Sequence, residues 1–61
     1  MELSLTDDER AVLQGVLSSA FRDLRSEVVA TDNAHYRGDL REREATIRAI
    51  LDRVGGLLDL A

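Results

Sequence analysis

The chain has 61 residues, a formal net charge of −4, one histidine and no cysteine. This composition excludes a disulfide framework, and one chain lacks the ligands for a Cys/His zinc site. The acidic balance argues against a surface that binds nucleic acid through its phosphates, because such affinity depends on clustered cations. A domain of this size is only marginally stable alone, so we expect an oligomer.

The first predicted helix spans about residues 6–30. It starts at a capping box, in which Thr6 is followed three residues later by Glu9, and carboxylates in its first turn favour the positive end of the helix dipole. From Leu13 onward, apolar residues recur at offsets of 3, 4, 7, 8, 11 and 15. At 100° per residue they lie within one face of about 140°, which predicts an amphipathic helix.

Three polar residues, Thr31, Asp32 and Asn33, then interrupt the pattern. Such side chains compete with a helix and cap the next one, so they predict a short turn. A second helix is predicted over about residues 34–55, with glycines at its end as a stop signal and an apolar tail beyond. A short connection favours antiparallel helices. The predicted fold is all-α, a two-helix hairpin in one domain over residues 1–61.

Each predicted helix carries an apolar stripe, and one helix packed on another covers only part of each stripe. We therefore expect homodimerisation into a four-helix bundle, while the periodicity is also compatible with a tetramer. The predicted core and oligomer interface consists of Leu13, Val16, Leu17, Ala20, Phe21, Leu24, Val28, Tyr36, Leu40, Arg43, Ile47, Ile50, Leu51 and Val54.

Arg43 is the irregular member of this set, because it occupies a core position in the heptad pattern of the second helix. A hairpin folded about residue 32 pairs positions whose numbers sum to about 64, which places Arg43 near Phe21. Our hypothesis is that the aliphatic stem of Arg43 covers the Phe21 ring. Its guanidinium would then pair with Asp23, Glu27 or a carboxylate of a second chain. The alternative is an arginine that extends into solvent at the edge of the bundle.

Both ends of the chain are rich in leucine. The pairing about residue 32 predicts that the two ends cover each other or the open end of the bundle. As an alternative, they form a patch to which another protein binds. The residues concerned are Leu3, Leu5, Leu57, Leu58 and Leu60.

Few residues of the chain could take part in catalysis. His35, next to Tyr36 and near Asp32, is the one candidate for acid–base chemistry. We interpret it as a capping or exposed residue, with a site shared across a dimer axis as the alternative. We predict no catalytic, metal-binding or cofactor-binding residues, and no enzymatic activity. No segment approaches the roughly 18 apolar residues of a membrane span, so we expect a cytoplasmic protein without membrane contact.

Several short motifs carry a resemblance. They are the run from Leu5 to Glu9, the run from Leu24 to Asp32, and the Arg/Glu-rich run from Tyr36 to Glu44. This pattern resembles short uncharacterised bacterial helical-hairpin proteins over nearly the whole chain. In size and layout it is also similar to the Rop-type dimeric four-helix bundle, which binds paired RNA loops.

The resemblance to the Rop type implies an alternative function, that of an RNA-binding regulator. The arginines that would contact RNA are Arg37, Arg41 and Arg48. Acidic residues are interleaved with them, and lysine is absent. Our leading prediction is therefore a non-enzymatic interaction or scaffold module, with nucleic acid not expected as its partner.

Overall fold

The computed structural model describes residues 3–58. Helix α1 covers Asp7–Ala30, and the predicted capping box at its start is confirmed. Glu9 N donates to Thr6 Oγ1 at 3.1 Å, and Thr6 N donates to Glu9 Oε1 at 2.9 Å. These reciprocal bonds satisfy backbone N–H groups that have no partner within the helix.

Helix α2 covers Ala34–Val54 and follows a short turn. Asn33 caps its start, because Oδ1 of that side chain accepts a hydrogen bond from Tyr36 N at 3.0 Å. Extended backbone at Thr31 ends α1. The Arg37 side chain then ties the turn to α2 by donating to Thr31 O at 2.5 Å. The bounds of both helices lie within one residue of the predicted ones.

The two helices pack against each other as a hairpin, which confirms the predicted all-helical class. The centre of the core joins Phe21 of α1 to Leu51 and Val54 of α2, and Leu51 is fully buried. Burial of a large apolar side chain contributes about 1.5–3 kcal/mol, so these contacts hold the hairpin closed. Further packing comes from the half-buried Leu13, Leu17 and Ile47, and buried leucines also lie at Leu24 and Leu40.

The predicted contact of Arg43 with the Phe21 ring is not formed. Arg25 and Arg48, rather than Arg43, bring their guanidinium groups to the Phe21 ring, with Cζ 5.8 and 5.9 Å from its centroid. Positions 25 and 48, rather than position 43, therefore supply the arginines beside the Phe21 ring. Phe21 belongs to one apolar cluster with Leu51 and Val54, and burial of such a ring among aliphatic side chains is favourable.

Candidate interaction surface

After α2, residues 55–58, which we call the tail, turn back toward α1. Gly55 ends the helix with φ of 124°, and the Gly55 and Gly56 N–H groups both donate to Leu51 O. A Cβ atom on Gly55 would lie 2.9 Å from Gln14 Nε2, closer than such atoms approach. The positive φ favours glycine at this position, and a Cβ atom there would also displace the Gln14 side chain.

The start of the tail is held by two side chains of α1. Arg10 Nη1 donates to Val54 O, and Gln14 Nε2 donates to Gly56 O, both at 2.7 Å. Arg10 Nη1 also donates to Gln14 Oε1 at 3.2 Å, which links the two side chains. Backbone carbonyls at the end of α2 and just beyond it thereby gain partners that the helix cannot supply.

The far end of the tail is held by two further polar residues of α1, Ser18 and Arg22. Leu58 N donates to Ser18 Oγ at 3.1 Å, and Arg22 Nη2 donates to Leu58 O at 2.7 Å. Ser18 is fully buried, so its hydroxyl is a polar group inside the fold that this bond satisfies. Later residues of the tail contact later residues of α1. The tail therefore runs parallel to α1 and opposite to α2.

Sequence reasoning missed this arrangement, although a signal for it exists. Arg10, Gln14, Ser18 and Arg22 recur every fourth residue and so form one line along α1. That polar line borders the apolar stripe, and a Gly-Gly pair that permits chain reversal precedes the apolar tail. Together, a polar line, a reversal signal and an apolar segment indicate a tail that docks on a helix.

The prediction that the leucine-rich ends cover each other is wrong for Leu58, which lies beside Ser18 in the middle of α1. Side-chain hydrogen bonds to its backbone outweigh the tendency of the apolar ends to cluster. Leu60 is outside the described residues. Leu3 and Leu5 instead line a depression that also includes Leu13, Ile50 and Val54.

A groove of about 420 Å³ lies between the helices, on the same side of α1 as the tail. Phe21 provides apolar lining, and Arg25, Arg41 and Arg48 provide positive charge. Ser18 and Arg25 are seven residues apart, close to two full turns, which places them in line along α1. We call this site the arginine groove and this side of the hairpin the tail face.

The opposite side of the hairpin exposes apolar side chains from both helices, and we call it the open face. Val16 of α1 is 59% exposed and Ile50 of α2 is 37% exposed. Nine residues, or two and a half turns, separate Val16 from Arg25, and the same spacing separates Ile50 from Arg41. Each apolar residue thus lies on the side of its helix away from the arginine groove.

The predicted core set divides according to these two faces. Five of its members are buried within the hairpin: Phe21, Leu24, Leu40, Leu51 and Val54. Five are half-buried: Leu13, Leu17, Ala20, Val28 and Ile47. The exposed members are Val16, Tyr36, Arg43 and Ile50. The single hairpin therefore covers only part of the two predicted stripes.

Arg43 is exposed, so the prediction that its stem covers the Phe21 ring is wrong for the single chain. Seven residues separate Arg43 from Ile50, which places both on the open face of α2. The carboxylate of Glu27 accepts a hydrogen bond from Tyr36 Oη at 3.2 Å. Pairing of Arg43 with a carboxylate of a second chain stays a prediction.

His35 projects into solvent, with its side chain 92% exposed. Its Nε2 atom is 3.8 Å from Asp39 Oδ2, one turn farther along α2. Within residues 3–58, no group of three or more potential metal-ligating side chains comes together. In the same part of the chain, neither helix combines the length and the apolarity needed to cross a membrane.

Comparison of the chain with protein-family models, curated proteins and solved structures found no match. The resemblance to bacterial helical-hairpin proteins therefore stays a prediction.

Proposed function

We propose that the chain is a non-enzymatic interaction module that dimerises through its open face to form a four-helix bundle. One observation carries this proposal: the exposed apolar residues of the two stripes collect on one face, whereas the tail occupies part of the other. In a dimer the open faces of two copies would cover Val16 and Ile50. Removal of that surface from water supplies the driving force.

The size of the open face supports the same proposal. The open face is roughly 36 Å long and two helix diameters wide, or about 700 Å². A stable interface buries about 800 Å² per partner, so the face is of suitable size.

A dimer of this kind also suits a scaffold role. In a two-fold dimer, both copies use the same surface for contact. Each copy then keeps its tail face on the outside, because that face lies opposite the open face. The bundle would present two identical surfaces for further proteins, one on each side.

Two matched valine substitutions test the dimer. Val16→Glu places a carboxylate in the proposed interface, whereas Val29→Glu places one on an exposed position of the tail face. We expect Val16→Glu to weaken association by about 3 kcal/mol or more, because the charge loses its hydration without gaining a partner. Val29→Glu should leave association unchanged. Sedimentation equilibrium at several loading concentrations measures both constants.

Equal effects of the two valine variants would contradict the proposed interface. Circular dichroism on the same samples separates loss of association from loss of helix. An unchanged dimer with Val16→Glu would direct attention to another surface. A dimer weakened by Val29→Glu alone would place the contact on the tail face.

The alternative function is that of an RNA-binding regulator, for which Arg37, Arg41 and Arg48 would contact phosphates. Two of these guanidinium groups already have partners within the chain. Arg37 binds Thr31 O, and Arg48 donates to Asp52 Oδ1 at 3.4 Å. These contacts and the net charge of −4 favour the protein-interaction proposal. Binding of a structured RNA that weakens steeply with salt would support the alternative.

A further inference from the structure

The arginine groove concentrates positive charge in an acidic chain. Arg25, Arg41 and Arg48 line it together with a single carboxylate, that of Glu44. Arg48 also pairs with Asp52, whose Oδ1 lies 3.4 Å from Arg48 Nε, so the local charge is +1, from three arginines and two carboxylates, whereas the whole chain carries −4. An anionic group near the hairpin is attracted to this site and repelled by much of the remaining surface.

The guanidinium groups are positioned by contacts that leave hydrogen-bond donors available. Arg25 and Arg48 both lie over the Phe21 ring, which holds them beside the groove. Arg25 Nη1 forms an ion pair with Glu44 Oε1 at 3.9 Å, and Arg48 Nε donates to Asp52 Oδ1 at 3.4 Å, so each of these two contacts engages one nitrogen of its guanidinium. A guanidinium offers five N–H donors in a planar arrangement suited to a carboxylate.

The lining of the groove also has an apolar part. Phe21, Val28 and Val29 contribute to it, and Val29 is 87% exposed. An apolar side chain of a ligand could cover these residues, while flanking carboxylates meet the arginines. The volume of about 420 Å³ falls within the range of small ligand sites.

We propose that the arginine groove binds a short acidic segment of a partner protein, in which one apolar side chain is flanked by carboxylates. Charge complementarity favours such a segment over RNA. Nucleic acid requires an extended cationic surface, whereas this positive region is one groove on a chain of net charge −4. The groove lies opposite the open face, so it stays accessible in the proposed dimer and adds a binding activity to it.

A labelled peptide with one phenylalanine between two pairs of glutamates is the probe, and fluorescence anisotropy is the measurement. We expect saturable binding that weakens as the salt concentration rises. Arg41→Gln and Arg48→Gln should each weaken binding by about tenfold, since each removes a charge-assisted contact. Arg53→Gln is the matched control, because Arg53 is exposed and lines the depression with Leu3 and Leu5 instead.

A second peptide, with serine in place of phenylalanine, tests the apolar part of the groove and should bind more weakly. The proposal is overturned if the first peptide shows no saturation up to about 1 mM, or if Arg53→Gln weakens binding as much as the groove variants do. Tighter, groove-dependent binding of an RNA hairpin would also overturn it, in favour of a nucleic-acid site. The mass of each variant, measured alongside, separates this result from any failure of dimerisation.

Discussion

At the residue scale, Gly38 and Gly55 occupy backbone environments with opposite requirements. Gly38 lies exposed within α2, and a Cβ there would meet nothing within 4 Å. Gly38→Ala should stabilise the fold by about 0.5–1 kcal/mol, because glycine lowers helix stability. Gly55→Ala should destabilise it by about 1 kcal/mol or more, because of its φ of 124° and its contact with Gln14. Urea unfolding at one fixed protein concentration measures both changes.

Stabilisation by Gly55→Ala would contradict the described path of the tail. Destabilisation of the fold by Gly38→Ala would indicate that another chain packs closely on that side of α2. The two substitutions add the same methyl group, so their comparison isolates the effect of backbone conformation and surroundings.

Glu9 contributes a pH-dependent term through the capping box. Hydrogen bonds from the Thr6 backbone and then from the Thr6 side chain lower the pKa of the Glu9 carboxyl. A carboxyl whose pKa is lower in the folded state than in the unfolded state stabilises the fold at pH values above its unfolded pKa. This contribution is lost as the pH falls through the folded pKa. The stability difference between wild type and Glu9→Gln should therefore shrink on acidification from neutral pH to about pH 3.

Glutamine keeps the side-chain acceptor of the capping box but cannot titrate, which makes Glu9→Gln a conservative change. Glu42→Gln is the matched control, because Glu42 is exposed on α2 and lies outside any helix cap. Thermal unfolding across the pH series gives the comparison. A difference between wild type and Glu9→Gln that does not vary with pH would contradict the described bonds.

At the element scale, the tail is held by specific side chains rather than by apolar contact alone. Ser18→Ala leaves the Leu58 N–H without its acceptor, which should cost about 1 kcal/mol. Ser19→Ala is the matched control, because Ser19 is the exposed neighbour of Ser18 in the same helix. Both substitutions raise the helix propensity by the same amount. Hydrogen exchange at the Leu58 amide should become faster in Ser18→Ala only. Equal exchange in both variants would contradict the bond.

The helices and their ends were predictable because they depend on residues close in sequence. Thr6 and Glu9 form a capping box from their spacing alone, and Asn33 caps α2 in the same local way. The surroundings of the Phe21 ring were not predictable by folding the chain symmetrically about residue 32. They depend on which residues of α2 best bury the Phe21 ring, and that choice involves side chains far apart in sequence.

The position of the tail was also not predictable from the sequence, for a different reason. Its leucines suggested apolar closure of the bundle end, but its backbone groups needed hydrogen-bond partners after α2 ended. The line of polar residues that includes Gln14 and Ser18 supplies those partners.

Residues such as Val16 and Ile50 belong to the predicted stripes but stay exposed in one hairpin. Their role depends on what covers the open face.

At the scale of the whole molecule, the two faces of the hairpin differ in chemistry. The tail face carries a docked segment and the arginine groove, and the open face carries exposed apolar residues from both helices. Among residues 3–58, no further helix or strand covers the open face of this two-helix layer. The proposed self-association through the open face would leave the tail face available for a partner.

The mass of the protein in solution shows whether this self-association occurs. Light scattering coupled to size-exclusion chromatography, over a dilution series and with helicity followed in parallel, measures it. We predict a helical species of twice the 6.8 kDa chain mass that dissociates on dilution with loss of helix. A helical species of 6.8 kDa at every concentration would contradict the proposed self-association and would leave the open face as a site for a different protein.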